Sequence, residues 1–211
     1  MKEPGKPGEP FTYLFAQPGD IVFARGTALL GRLIRWAEQS KGEGESWANH
    51  VGGVTKPGYL VPPANKVTAL ASVSEALWHV EENVWWDRHS HEQGYAVAVF
   101  RPRLFSGNEG VDRVVENWRR RTGNGYGWWR LLTFLGEKLT GGLIPFSKLH
   151  FQDARVVCSN HIALGLEKDG IHINEHDPNE LDPDEFLDYV LSEPEKFQFV
   201  GQTIVPAGRP M

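Results

Sequence analysis

The chain has 211 residues, 40% of them hydrophobic, enough apolar material for one sizeable domain. With 27 acidic against 22 basic side chains its net charge is −5, which sets aside nucleic acid and anionic membrane surfaces as partners of the chain as a whole. A single cysteine excludes an internal disulfide framework and a multi-cysteine zinc centre.

In chain order, residues 1–10 are rich in Pro, Gly, Lys and Glu and predict a flexible tail. "PGDIVFARG" (18–26) predicts a turn and a short buried strand. "TALLGRLIRWAEQS" (27–40) carries Leu29, Leu30, Leu33, Ile34 and Ala37 at helical spacing behind a Thr27 cap. A polar loop, 41–46, leads to a second strand, "WANHVGGVT" (47–55), and then to a Pro/Gly loop, 56–66. In "KVTALASVSEAL", a period of two sets Glu75 on the face of Val67, Ala69, Ala71 and Val73. "YAVAVFRP" (95–102) is a further strand, stopped by Pro102. Helices follow over 111–121 and 126–139, and Arg119-Arg120-Arg121 reads as solvated surface. Cys158 opens a helix through about Lys168, closed by Gly170. "DPDEFLDYVLSE" (182–193) has an Asp cap and Pro183 at the first helical position, and "FQFVGQTIV" (197–205) is a last strand. Together these predict an α+β domain around one antiparallel-rich sheet.

Three positions carry possible chemistry. Glu75 is a carboxylate on an apolar face, costly unless a cation or donor meets it. Cys158 sits in a first helical turn, where unpaired amides favour a thiolate. It also shares a stripe with Ile162 and Leu166, and on these grounds alone core packing is the favoured explanation. A thiol nucleophile needs a base, and the chain has eight histidines. His161 is nearest in sequence, but cysteine–histidine pairs commonly come from separate elements. His89 and His91 fall in a polar loop, "DRHSHEQG". His172 and His176 have H-x₃-H spacing, but Asn174, Asp177 and Pro178 disfavour the helix that would converge them as metal ligands. His79 and His150 carry no signal. His50 opens "HVGGV", whose glycines allow close approach of another group.

"PGDIVF" (18–23) followed by "NHVGGV" (49–54) resembles the paired strands of NlpC-type cell-wall cysteine peptidases, in the papain-like superfamily. In the usual order the cysteine helix comes first. Here "VVCSNHIALGLEKDG" follows those strands, an order similar to the circularly permuted branch with its YiiX/YebB-like proteins and, more distantly, the lecithin–retinol acyltransferase-like proteins. "SVSEALWHV", "GYGWWRLLTFLGEKL" (125–139) and "LDPDEFLDYVLSEP" (181–194) resemble that branch's glutamate strand, Tyr-containing helix and late helix. The resemblance spans about residues 14–205.

The resemblance implies a permuted papain-like α+β fold, with an antiparallel-rich sheet or small barrel against helices, between tails 1–13 and 206–211. It implies Cys158 as nucleophile, His50 as base and Glu75 as the third member that orients the imidazole, with the Cys158 backbone N–H contributing to an oxyanion hole. Asp20, in "PGD", matches a family position but is expected to serve the turn. The chain departs from the branch at Trp78-His79-Val80, where Gly-Val is common. The expected activity is thiol-dependent cleavage of an amide bond in a cell-wall-type (peptidoglycan) peptide. The alternatives are a lipid acyl hydrolase or acyltransferase working through a thioester, and a non-catalytic binding module. Trp47, Trp85, Trp86, Trp128 and Trp129 either line a substrate groove or fill core, and core is favoured.

No cofactor, metal, nucleic-acid partner or membrane span is expected, and oligomeric state is left open. "MKEPGKPGEPFTYLF" lacks the apolar stretch of a secretory signal, so the expected location is cytoplasmic by default, with release or non-classical export also open.

Overall fold

The computed structural model describes residues 13–26, 47–63, 69–90, 95–103, 105, 107–125, 157–173, 178 and 181–204. The helices expected over 27–40 and 126–139, both predicted tails save Tyr13 of the first, and His91, Trp128, Trp129, His150 and His176 lie outside the described residues.

The architecture is mixed α and β, with antiparallel sheets packed against helices. In chain order come β1 (Leu14–Ala16), β2 (Ile21–Arg25), β3 (His50–Lys56), β4 (Gly58–Val61), β5 (Ser72–Ala76), β6 (Val80–Val84), α1 (Trp85–His89), β7 (Ala96–Pro102), α2 (Gly107–Arg119), α3 (Cys158–Glu167), α4 (Pro183–Ser192) and β8 (Phe197–Ile204). Six strands form one sheet in the order β6-β5-β3-β2-β7-β8, and β1 pairs with β4 separately. Every strand pair is antiparallel. Among the described residues the six-stranded sheet is open, with β6 and β8 at its edges, so the small-barrel alternative is corrected. Closure would require those two edges to pair.

Alternation along the strands divides the apolar residues into two layers. Ile21, Phe23, Val51, Ala76, Ala98 and Phe100 face α2, α3 and α4 and join Val114, Trp118, Ile162, Leu166 and Phe186. Val22, Ala24, Val54, Val73, Val97 and Val99 face the opposite way, toward Leu14, Leu60, Val61, Trp85 and Tyr95.

The two glycines of "HVGGV" serve these two layers. A Cβ at Gly53 would overlap the Trp118 indole, and one at Gly52 would collide with a Val73 methyl. The close approach is thus made by an indole on one face and a valine on the other. Trp118 in turn donates its Nε1–H to the Ile162 carbonyl (3.1 Å), which ties α2 to α3.

Asp20 is fully buried and serves the turn into β2. It accepts from the Gln17 N–H (2.8 Å) and takes a two-pronged bond from Arg101 on β7 (2.7 and 2.9 Å). On α2, Arg119 reaches across to Glu82 of β6 (2.9 Å) instead of only meeting solvent, while Arg120 pairs with Glu116 one turn back.

Candidate functional site

β3 begins at His50, and its entry is held by the chain around it. The Asn49 side chain accepts from the Gly26 N–H (2.9 Å) and donates to the Gly26 carbonyl (3.2 Å). The Asn49 N–H donates to the Ala24 carbonyl (3.0 Å), extending the β2–β3 pairing by one residue. Asp184, in the first turn of α4, accepts from the Trp47 and Ala48 N–H groups (2.8 and 3.0 Å). That helix is set by a reciprocal capping box, Asp182 accepting from Asp184 and Glu185 N–H while Glu185 accepts from the Asp182 N–H. The late helix therefore helps fix where the His50 ring stands.

Glu75 lies on β5 opposite Gly52 of β3 and is fully buried. It shares the face of Ala71 and Val73, as the period of two predicts. Three donors meet its carboxylate. His50 Nε2 is 2.7 Å from Oε2, His89 Nε2 is 3.1 Å from the same oxygen, and Asn83 Nδ2 donates to Oε1 at 3.2 Å. Burial alone would raise the pKa of this acid. The hydrogen bonds from His50 and His89, and the positive charge those rings can carry, overcome it and hold the carboxyl well below its usual range.

Cys158 is the first residue of α3, almost fully buried, and that helix packs on β3 and β5. Its N-cap, Val157, is extended and places no side-chain cap over the helix end. The positive pole of the helix is thus directed at the thiol's own turn. The thiol hydrogen-bonds the His50 ring. Because Nε2 is committed to Glu75, the nitrogen left for sulfur is Nδ1. Burial opposes a charged imidazole here, but hydrogen bonds to Cys158 and Glu75, reinforced by electrostatic attraction to the same two groups, raise the His50 pKa from 6.5 to about 10. His50 keeps 14% of its side chain exposed, enough for proton exchange with what lies outside.

Cys158, His50 and Glu75 are therefore brought into one connected row from three separate elements. His89 joins them. It was read as part of a polar loop, but "WWDRH" forms one helical turn in which Trp85 and His89 point inward together. Its ring stacks on Tyr95 (5.3 Å between centroids, 7° between planes) and leans on Trp85 at 4.1 Å. Trp85 also lies parallel to the His50 ring (6.2 Å, 15°), so it forms a floor beneath both imidazoles. The Trp85/His89 spacing of four was the signal in the sequence, but a five-residue helix is too short for periodicity to show it.

The other histidines among the described residues are elsewhere. His161 faces Ser74, with Nε2 2.9 Å from the hydroxyl, and burial, helped by the charge of Arg121, lowers its pKa to about 3. It stands as a neutral core residue on the helix side of β5. His79 and His172 are exposed beside Glu81 and Glu167. Of the tryptophans, Trp47 and Trp86 pack against the two core layers.

No known protein-family profile matches the sequence, and no curated protein matches it significantly. Among solved structures, the chain is similar to the metalloprotein YiiX of Escherichia coli O157:H7. The TM-score is 0.47 and the identity 17%, over 75% of this chain and 69% of that one.

Proposed function

We propose that this chain is a thiol-dependent hydrolase with a permuted papain-like arrangement, using Cys158 as nucleophile, His50 as acid and base, and Glu75 as the group that orients and charges the imidazole. One observation carries the reading: the His50 ring meets both the Cys158 thiol and the buried Glu75 carboxylate, the latter at Nε2.

The chemistry follows from that order. The Cys158 proton passes to His50 Nδ1, leaving a thiolate beside an imidazolium whose Nε2–H is held by Glu75. Sulfur attacks the carbonyl carbon, and the electron pair moves to oxygen, where the Cys158 backbone N–H at the helix start stabilises it. Collapse breaks the C–N bond, and the leaving amine takes the Nδ1 proton. The thioester is then attacked by water, whose proton returns to Nδ1, releasing a carboxylic acid and restoring the thiolate. Asn83 and His89 act through Glu75 by fixing the direction of its oxygens.

The substrate class we favour is a peptide of cell-wall type, cleaved at an amide. The test is a panel of peptidoglycan peptides and of phospholipids, with wild type and Cys158→Ser side by side. Peptide fragments made only by wild type support the reading. Released fatty acid would move the activity to an acyl hydrolase or acyltransferase. Products of neither kind, with tight retention of one substrate, would make the protein a binding module.

A further inference from the structure

The geometry points to a divalent transition-metal site made by His50 Nε2, Glu75 Oε2 and His89 Nε2, with zinc the ion its donors suit best. These three atoms lie within 4.8 Å of one another, and both imidazoles aim the same nitrogen at the same oxygen. Two imidazole nitrogens and a carboxylate oxygen are a donor set for a borderline ion such as Zn²⁺, with a fourth position left for water. Ligand atoms ~2.0–2.2 Å from tetrahedral zinc stand roughly 3.3 Å apart. The nitrogen–oxygen separations of 2.7 and 3.1 Å need to open by only about half an ångström to reach that value.

The surroundings hold all three ligands in place, as outer groups do at metal sites. Asn83 takes Oε1 and leaves Oε2 to face the rings. Trp85 and Tyr95 fix the plane of His89, and Trp85 fixes that of His50. The buried carboxylate offsets one of the ion's two charges, and the ion takes the place that the two Nε2 protons hold between the rings and Oε2. His50 gives its Nε2 proton to solvent, and His89 carries its ring proton on Nδ1.

This has a consequence that rests on the proposed thiol chemistry, whereas the metal site itself does not. With the ion on Nε2, the one remaining ring proton of His50 sits on Nδ1, facing sulfur. That ring has no lone pair with which to take a proton from thiol or water. Metal occupancy and general-base action at His50 therefore exclude each other, and a bound ion switches the hydrolase off.

The test is calorimetric titration of the chelator-stripped full chain with Zn²⁺, and optical titration with Co²⁺, on wild type, His89→Gln, Glu75→Gln and Cys158→Ser. Circular dichroism checks that each variant is folded. One ion per chain is expected for wild type and for Cys158→Ser, with affinity at least about tenfold weaker in His89→Gln. The cobalt spectrum should show tetrahedral bands without a sulfur-to-cobalt charge-transfer band. No binding by wild type, binding indifferent to His89→Gln, or a thiolate band that disappears in Cys158→Ser would each overturn this ligand assignment. Binding that persists in a Cys158→Ser protein, whatever the peptide and lipid panel yields, keeps the metal site independent of the hydrolase reading.

Discussion

His50 and His89 share a single carboxylate oxygen: both place Nε2 on Oε2 of the fully buried Glu75, at 2.7 and 3.1 Å. The arrangement makes Glu75 the hub of the site. Glu75→Gln keeps the shape but removes the negative charge that supports protonated His50. In buffer with chelator, the His50 pKa should fall from about 10 toward its ordinary 6.5, read from the ring signals in an NMR titration. In the hydrolysis assay, the loss of activity that follows imidazolium deprotonation should move to lower pH by the same amount. A His50 titration unchanged by the substitution would mean that Glu75 does not govern the ring.

His161 predicts a different pH effect, on stability. Its pKa is about 3 in the fold against 6.5 when free, so between those values the unfolded chain takes a proton that the folded chain refuses. Stability should therefore be lost as pH falls from 6.5 toward 3, by up to about 1.4 kcal/mol per pH unit from this one group. The double variant Ser74→Ala/His161→Leu removes the ring and its hydroxyl partner together. Denaturant unfolding at several pH values should show a flatter acid limb for it. Equal slopes in the two proteins would count against a neutral buried His161.

Gly53→Ala should destabilise the fold. The added methyl lands 2.5 Å from the Trp118 ring, and the indole is locked by its bond to Ile162. Overpacking of this kind costs about 1–3 kcal/mol. The denaturation midpoint should fall, and an unchanged midpoint would show that α2 gives way freely.

How much was legible in the sequence depends on how strongly each segment is patterned. β2, β3, β7, α3 and α4 are apolar or well capped, and each lies where the sequence placed it to within a few residues. β6 was missed because "VEENV" is an edge strand with one buried residue, so it has no alternation to read. β4 was hidden in a segment whose glycine and prolines read as loop. Glu75 announced itself through a charge on an apolar face, and the fold answers it with three donors. His89 did not, because its partner is Glu75 on another strand and its helix is a single turn.

The central claim is that His50 activates Cys158, and the direct measurement is the rate of Cys158 alkylation by iodoacetamide across pH, followed by intact mass with chelator present. In wild type the thiol should react rapidly at about pH 6. In His50→Ala the rate at that pH should fall by roughly two orders of magnitude. A Cys158 that reacts at the same rate with and without His50, or that stays inert in wild type, would contradict the account.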